Sequence, residues 1–132
     1  MSYAALKKDD ALKIWPVVEP LIKRATDRDK GRSSTDTIRT LIENDQAVLW
    51  VNDDLSLVWV TSIEVYRTGV KACLIRVCGG QGLDICKEAI NEVDRYARYM
   101  GCDLLEIYGR EGWLRTLEGF AKDITVMSRQ LK

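Results

Sequence analysis

The chain has 132 residues, 46% of them hydrophobic and 30% charged, which suits one globular domain and argues against wholesale disorder or a membrane protein. Twenty basic and twenty acidic residues cancel and are interspersed along the chain, so we expect no broad nucleic-acid-binding face. The chain has no histidine, which removes every Ser-His or Cys-His arrangement for nucleophilic catalysis.

The N-terminal part predicts a short strand over Tyr3 to Leu6 and then an amphipathic helix. Asp9 and Asp10 can cap this helix, and its apolar residues recur at helical spacing through Arg24. A proline inside a helix removes a backbone hydrogen bond, so we expect a kink or a restart at Pro16.

A second helix and a meander of three strands follow. A Ser or Thr near residue 34 or 35 can cap the short second helix. The apolar residues of that helix that should point inward are Ile38, Leu41 and Ile42. Stretches rich in Val, Ile, Thr and Trp predict an antiparallel meander. Its three predicted strands are Gln46 to Val51, Leu55 to Tyr66, and Val70 to Val77.

The C-terminal half predicts a long helix between two further strands. Apolar residues at steps of three and four predict a helix with one apolar face over Leu83 to Met100. Gly101 is expected to end this helix. Asp103 to Tyr108 is then a strand that should run parallel to the last meander strand. A short helix over Glu111 to Glu118 and a closing strand over Ile124 to Leu131 complete the prediction.

Three of the nine glycines lie in one stretch, R-V-C-G-G-Q-G-L, between the meander and the long helix. Backbone N–H groups in such a loop at a helix N-terminus can bind a phosphate group. Glycines that only let the chain turn sharply out of a strand would give the same pattern. The stretch alone leaves both interpretations open.

The order of elements resembles the fold of the GCN5-related N-acetyltransferases (GNATs). That order is a strand, two helices, the meander, the glycine loop, the long helix, a parallel strand, a short helix and a last strand. The resemblance spans essentially all of the chain and implies an α/β domain with a mixed central sheet and helices on both faces. In that family the loop after the fourth strand follows the pattern Q/R-x-x-G-x-G/A and holds the pyrophosphate of acetyl-coenzyme A. The residues that the resemblance assigns to the cofactor are Val77, Cys78, Gly79, Gly80, Gln81, Gly82 and Leu83.

Two positions depart from the family pattern. Val77 stands where the loop motif has a polar residue, and a frame that begins at Arg76 puts Gln81 at the final small position. After the fifth strand the family has a tyrosine that protonates the departing coenzyme thiolate, and Arg115 lies close to that place here. An arginine stays protonated and cannot supply this proton. The resemblance therefore implies either an acetyltransferase that uses another acid or water, or a fold relative without catalysis.

The stretches I-W-P-V-V-E-P-L-I, A-V-L-W-V and G-C-D-L-L-E-I-Y-G-R-E-G-W-L-R-T-L are similar to a group of small GNAT-like proteins encoded in bacteriophage and prophage genomes. This likeness implies a protein of the bacterial host cytoplasm, or one associated with the virion. A phage structural, assembly or host-interaction protein is therefore the alternative to an enzyme. The sequence leaves open whether the protein forms a homo-oligomer, and no membrane partner is expected.

Acetyl transfer to an amine needs a base for the incoming ammonium. Glu64, near the end of the long meander strand, is the best-placed carboxylate, although a solvated outward residue fits the pattern as well. Glu106 alternates with apolar neighbours and could face the cleft, or it could pair with Arg76 or Arg110.

The segment after the fifth strand carries a basic and aromatic cluster of Arg110, Trp113 and Arg115. This cluster could contact coenzyme phosphate or a partner protein. Alternatively, Trp113 is a core anchor with two arginines at the rim, and the three remaining tryptophans are core residues.

The four cysteines, Cys73, Cys78, Cys86 and Cys102, lack the paired spacing of zinc ligands, so we expect no metal.

Overall fold

The computed structural model describes residues 2–28, 31–80, 87–108 and 117–131. Within these ranges the chain forms four helices and a five-stranded sheet. In chain order the elements are β1 (Tyr3–Ala5), α1 (Lys8–Lys13), α2 (Trp15–Thr26), α3 (Thr35–Glu43), β2 (Val48–Asn52), β3 (Leu57–Val65), β4 (Lys71–Gly80), α4 (Lys87–Tyr99) and β5 (Leu104–Ile107).

The expected break near Pro16 is confirmed, because α1 ends at Lys13 and α2 begins at Trp15 with a proline in its first turn. A proline there loses no hydrogen bond, since the first amides of a helix lack an intrahelical partner. The expected capping by Asp9 and Asp10 is wrong. Lys7 is the N-cap residue of α1, its side chain makes no capping bond, and both aspartates lie in the first turn.

The predicted cap of the next helix is confirmed. The hydroxyl of Ser34 accepts a hydrogen bond from the backbone N–H of Thr37 at 3.1 Å. Ile38 and Ile42 are buried on the inner side of α3. Gly101, with φ +75°, follows α4 in the left-handed conformation expected of a glycine that ends a helix.

The strands lie side by side in the order β1-β2-β3-β4-β5. The first three neighbouring pairs are antiparallel, and β4 and β5 are parallel, as the strand-helix-strand order predicts. The sheet separates two hydrophobic clusters. We call the side that packs against α1, α2 and α3 the α2 face, and the side that packs against α4 the α4 face.

Alternation along β3 decides which side chains reach each cluster. Val58 and Val60 belong to the cluster on the α2 face, whereas Trp59 and Ile63 belong to the cluster on the α4 face. The three tryptophans expected in the core, Trp15, Trp50 and Trp59, are all at most 5% exposed. The rings of Trp50 and Trp59 stack with centroids 5.9 Å apart, and this aromatic stack anchors the α4 face.

The predicted closing strand is wrong. Residues 121–131 form no helix or strand, and every side chain among them is exposed. The predicted helix over Glu111 to Glu118 lies almost wholly outside the described residues, as does the predicted first turn of the long helix. None of the described helices is long and apolar enough to cross a membrane.

Candidate functional site

Strand β4 runs three residues further than predicted, through Cys78, Gly79 and Gly80. These residues were expected in a loop, but they pair with Trp59, Val58 and Leu57 of β3. The reason lies in tertiary packing. A Cβ atom added to Gly79 would lie 2.2 Å from the carbonyl oxygen of Leu21 in α2. Gly79 therefore lets helix and strand approach closely, which a sequence pattern for loops does not reveal.

The parallel strands β4 and β5 part at a defined point. Their last paired residues are Ile75 and Ile107, and the backbone N–H of Tyr108 donates to the carbonyl oxygen of Ile75 at 3.3 Å. From Arg76 to Gly80, β4 continues beside β3 without β5. We call this stretch, Arg76–Gly80, the free edge of β4; the name means only that its pairing with β5 has ended, since Cys78 does have an interaction partner.

A β-bulge opens the free edge. Val60 pairs with Val77 and Thr61 pairs with Ile75, so Arg76 is the extra residue with no partner across the ladder. A bulge bends its strand and turns a side chain toward a new direction. Here the Arg76 side chain reaches along the α2 face to two residues of β3.

Ser62, Glu64 and Arg76 form a closed set of hydrogen bonds. Arg76 donates from Nη2 to Oε1 of Glu64 at 2.6 Å and from Nε to the hydroxyl of Ser62 at 2.7 Å. The Ser62 hydroxyl donates to the same Oε1 at 2.9 Å. Glu64 is therefore held in place by two donors, while its side chain remains 39% exposed to solvent.

This triad lines a cleft of about 540 Å³. Its other lining residues come from the end of α3, the turn that follows it, and Tyr96 of α4. Asp45 adds a second carboxylate, which pairs with Lys8 at 3.2 Å. About half of the residues that line the cleft are polar or charged, and they include the fixed groups of the triad.

Glu106 lies on the same face of the sheet and does not pair with Arg76, while the expected pairing with Arg110 lies outside the described residues. The hydroxyl of Tyr66 donates to its Oε1 at 2.6 Å, whereas Arg76 pairs with Glu64. The hydrogen bond to Glu106 raises the pKa of Tyr66 to about 12, and burial and the negative charges of Glu106 and Glu64 act in the same direction. The two candidate carboxylates and Tyr66 therefore occupy one polar surface near the point where β4 and β5 part.

Ser62 and Tyr66 were missed in the sequence. In the predicted strand Leu55 to Tyr66 they occupy alternate positions together with Glu64, so the period of two placed all three on one face; in the structure Tyr66 directly follows the end of β3. Their link to Arg76 and Glu106 depends on the bulge and on the register, which the sequence does not display. The other proposed site residues, Gln81, Gly82, Leu83, Arg110, Trp113 and Arg115, lie outside the described residues.

Among the residues that the structure describes, no group of three His, Cys, Asp or Glu side chains could hold a metal ion. Burial raises the pKa of the Cys73 thiol to about 12. A thiol that holds its proton at neutral pH is a poor nucleophile.

Comparison with known proteins gives matches among solved structures alone. No family model matches the chain, and no curated protein matches it by sequence. The similar structures include a probable acetyltransferase, with a TM-score of 0.68, 10% identity and coverage of 100% of this chain and 97% of that one.

Two further structures carry ligand information. A predicted acetyltransferase from Clostridium acetobutylicum, solved with acetyl-coenzyme A, has a TM-score of 0.68 and 12% identity, with 98% of this chain and 96% of that chain covered. An aminoglycoside acetyltransferase from an uncultured soil metagenomic sample has a TM-score of 0.70 and 10% identity, with 99% and 96% covered. With its five-stranded mixed sheet flanked by helices, this chain has the fold of the GNAT acetyltransferases.

Proposed function

We propose that the protein is an acyl-coenzyme A dependent N-acyltransferase whose acceptor is a primary amine. The observation that carries this proposal is the position of the free edge of β4, which begins at Arg76, beside a cleft into which Arg76 and Glu64 project. A fold by itself hosts many functions, so the proposal rests on this arrangement of residues.

The free edge suits the coenzyme as a ligand. Backbone groups of a strand point alternately to its two edges, so part of the N–H and C=O groups between Arg76 and Gly80 face away from β3. The amide groups of the coenzyme could form hydrogen bonds with these backbone groups, as the backbone of an added strand does. The residues of this stretch whose backbone groups face away from β3 would hold the coenzyme, and Gln81, Gly82 and Leu83 remain proposed pyrophosphate contacts. When bound, acetyl-coenzyme A supplies an activated acyl thioester.

Glu64 would receive the acceptor. Its Oε1 takes both hydrogen bonds from Ser62 and Arg76, and Oε2 has no hydrogen-bond partner among the described residues. This second oxygen is therefore available to bind an ammonium group and to take its proton. Glu106, which accepts from Tyr66, is the second candidate for the base.

Calorimetric titration with acetyl-coenzyme A tests the donor half of the proposal. We expect saturable binding to the unchanged protein, and a strong loss of affinity in Gly80→Val, because a branched side chain there would crowd the free edge. Glu64→Gln is the matched control and should bind the coenzyme with unchanged affinity. Absence of binding at millimolar coenzyme would contradict the proposal.

Transfer is tested with acceptors that two similar structures suggest. One is the aminoglycoside acetyltransferase described above, solved in a second form with sisomicin, and the other is a ribosomal-protein-alanine N-acetyltransferase from Brucella melitensis. An aminoglycoside and an alanine-terminated peptide are therefore the first probes, with acetylation followed by mass spectrometry. Glu64→Gln should lower the transfer rate by about a hundredfold, and an unchanged rate would remove Glu64 as the base.

One observation favours the alternative of a non-catalytic interaction protein on the same fold, in which a phage or host protein is the partner. Ile124, Val126, Met127 and Leu131 are between 74% and 89% exposed, and neighbouring exposed apolar side chains often mark contact surfaces. A protein that binds no coenzyme but associates with another protein through residues 124–131 would support this alternative. A phage origin stays a prediction from sequence resemblance.

A further inference from the structure

Strand β3 extends beyond its neighbour β2. The pairing of β2 with β3 ends at Val48 and Thr61, whereas β3 continues beside β4 as far as Val65. Residues 62–65 therefore have β4 on one side and no described strand on the other. We call this stretch, residues 62–65, the open end of β3.

The backbone groups of Ile63 and Val65 lie on the uncovered side of the open end. The N–H of Tyr66 donates to the carbonyl oxygen of Val70 at 2.8 Å, so the backbone of Tyr66 bonds toward β4. Backbone groups alternate between the two edges of an antiparallel strand, so those of Ile63 and Val65 point away from β4. The described part of the chain gives them no hydrogen-bond partner. Unpaired groups of this kind are a template for a further strand.

The cleft described above lies along the open end and offers two different sides. Its apolar and aromatic lining on the α4 face is Val48, Ile63, Tyr96 and Met100. An edge contact with Trp50, with ring centroids 5.4 Å apart, fixes the ring of Tyr96.

The other side of the cleft carries two carboxylates, Glu64 and Asp45. Each already pairs with one cation, Arg76 and Lys8 respectively, and the two oxygens of a carboxylate leave room for further donors. A strand added to the open end would therefore place one row of side chains against apolar groups and the other row near carboxylates.

The segment 124–131 has the matching pattern. Its sequence is I-T-V-M-S-R-Q-L, it forms no helix or strand, and all of its side chains are exposed. In an extended backbone Ile124 and Val126 share one side, and Met127 and Arg129 share the other. The apolar pair suits the α4 face of the cleft, and the guanidinium group of Arg129 suits the two carboxylates. Burial of these exposed apolar side chains would favour the contact.

We infer that residues 124–131 of one copy of the chain add as a strand to the open end of β3 in a second copy. The segment is exposed on its own chain, and none of its residues lines the cleft there, so the structure favours a second copy as the source. Two copies that exchange their segments form a closed dimer. The contact is short, so the association is weak and the chain is monomeric in dilute solution. This pairing is independent of acyl transfer.

Sedimentation velocity of the full chain, from micromolar to millimolar concentration, measures the association. We expect a dimer whose fraction rises with concentration. Neighbouring residues of a strand direct their N–H groups to opposite edges, so either Val126→Pro or Met127→Pro removes a donor to the open end. That variant should weaken the association by about tenfold. Asp123→Pro, just before the segment, is the matched control and should leave the dimer unchanged.

The proline variants test pairing and not folding, because the segment is exposed and outside the sheet in the monomer. Denaturant unfolding in dilute solution should therefore be the same for all three variants and for the unchanged protein. A chain that stays monomeric at millimolar concentration would overturn the inference, and so would a dimer that both Val126→Pro and Met127→Pro leave intact.

Isotope-filtered nuclear Overhauser spectra of mixed labelled and unlabelled chains locate the contact. We expect contacts between the side chains of residues 124–131 in one copy and those of Ile63, Val65 and Tyr96 in the other. The proline variant that weakens the dimer should lose these contacts. Contacts of the segment with β5 in place of the open end would overturn the proposed site.

Discussion

At Gly79 the lack of a side chain serves packing between a helix and a strand. A Cβ atom there would lie 2.2 Å from the carbonyl oxygen of Leu21, and a helix backbone cannot move away cheaply. We predict that Gly79→Ala lowers the free energy of unfolding by about 3 kcal/mol or more. Denaturant unfolding measures this.

Gly69→Ala is the matched control for Gly79→Ala. Gly69 has φ +91° and no atom within 4 Å of an added Cβ, so its substitution should cost only the strain of the left-handed backbone, about 1 kcal/mol. Equal losses in the two variants would mean that contact with α2 is not the reason for a glycine at position 79.

The hydrogen bond between Tyr66 and Glu106 gives a pH prediction. It raises the pKa of Tyr66 from 10.0 to about 12, so the folded state holds the phenol proton more tightly than the unfolded state does. The stabilisation is fully present below pH 10 and disappears as the pH rises through about 12. Glu106→Gln should therefore lower the pKa of Tyr66 toward its ordinary value.

Phenolate absorbance measures this titration. The chain has five tyrosines, so the curve for Tyr66 is the difference between the protein and its Tyr66→Phe variant, in the presence and absence of Glu106→Gln. A Tyr66 titration that stays near pH 12 after Glu106→Gln would show that the carboxylate is not the cause.

The elements differ in how far the sequence predicts them. The restart of α2, the Ser34 cap and the Gly101 helix end were predictable, because each depends on a local backbone requirement. The end of β4 was not, because glycines usually mark loops and the approach of α2 at Gly79 is a tertiary effect. The triad of Ser62, Glu64 and Arg76 also depends on a bulge that joins residues from two strands.

In the segment 124–131 the sequence predicts a strand that the structure does not contain. Its alternating apolar residues are typical of a strand, yet an alternating pattern forms a strand only when a neighbouring strand pairs with it. Here all the side chains from 121 to 131 are exposed. The sequence pattern indicates which secondary structure a segment favours. Whether the segment forms that structure depends on its contacts with the rest of the fold.

This exposure predicts that the segment contributes little to stability. A variant that ends at Asp123 should change the free energy of unfolding by less than about 0.5 kcal/mol. Phe120 packs against the cluster on the α4 face, so Phe120→Ala in the full chain should cost more than about 1 kcal/mol. Denaturant unfolding of both variants checks this, and a loss of several kcal/mol on truncation would show that the segment packs in solution.

At the scale of the whole molecule, the sheet brings the candidate site together. The parting of β4 from β5 supplies a free edge, and the adjacent face carries the two candidate carboxylates with Tyr66. The sequence predicted the antiparallel meander and the parallel pairing of β4 with β5, and it named both carboxylates as candidates. It could not predict the partners of those carboxylates, since a register and a bulge determine them.

The central claim is that the free edge of β4 binds an acyl-coenzyme A. The most direct measurement is a titration of the isotope-labelled protein with acetyl-coenzyme A, followed through its backbone amide resonances. We predict saturable shifts concentrated between Arg76 and Gly80 and at Tyr108, with small changes in α3 and in β1. Shifts that avoid the free edge, or no shifts at millimolar ligand, would contradict the account.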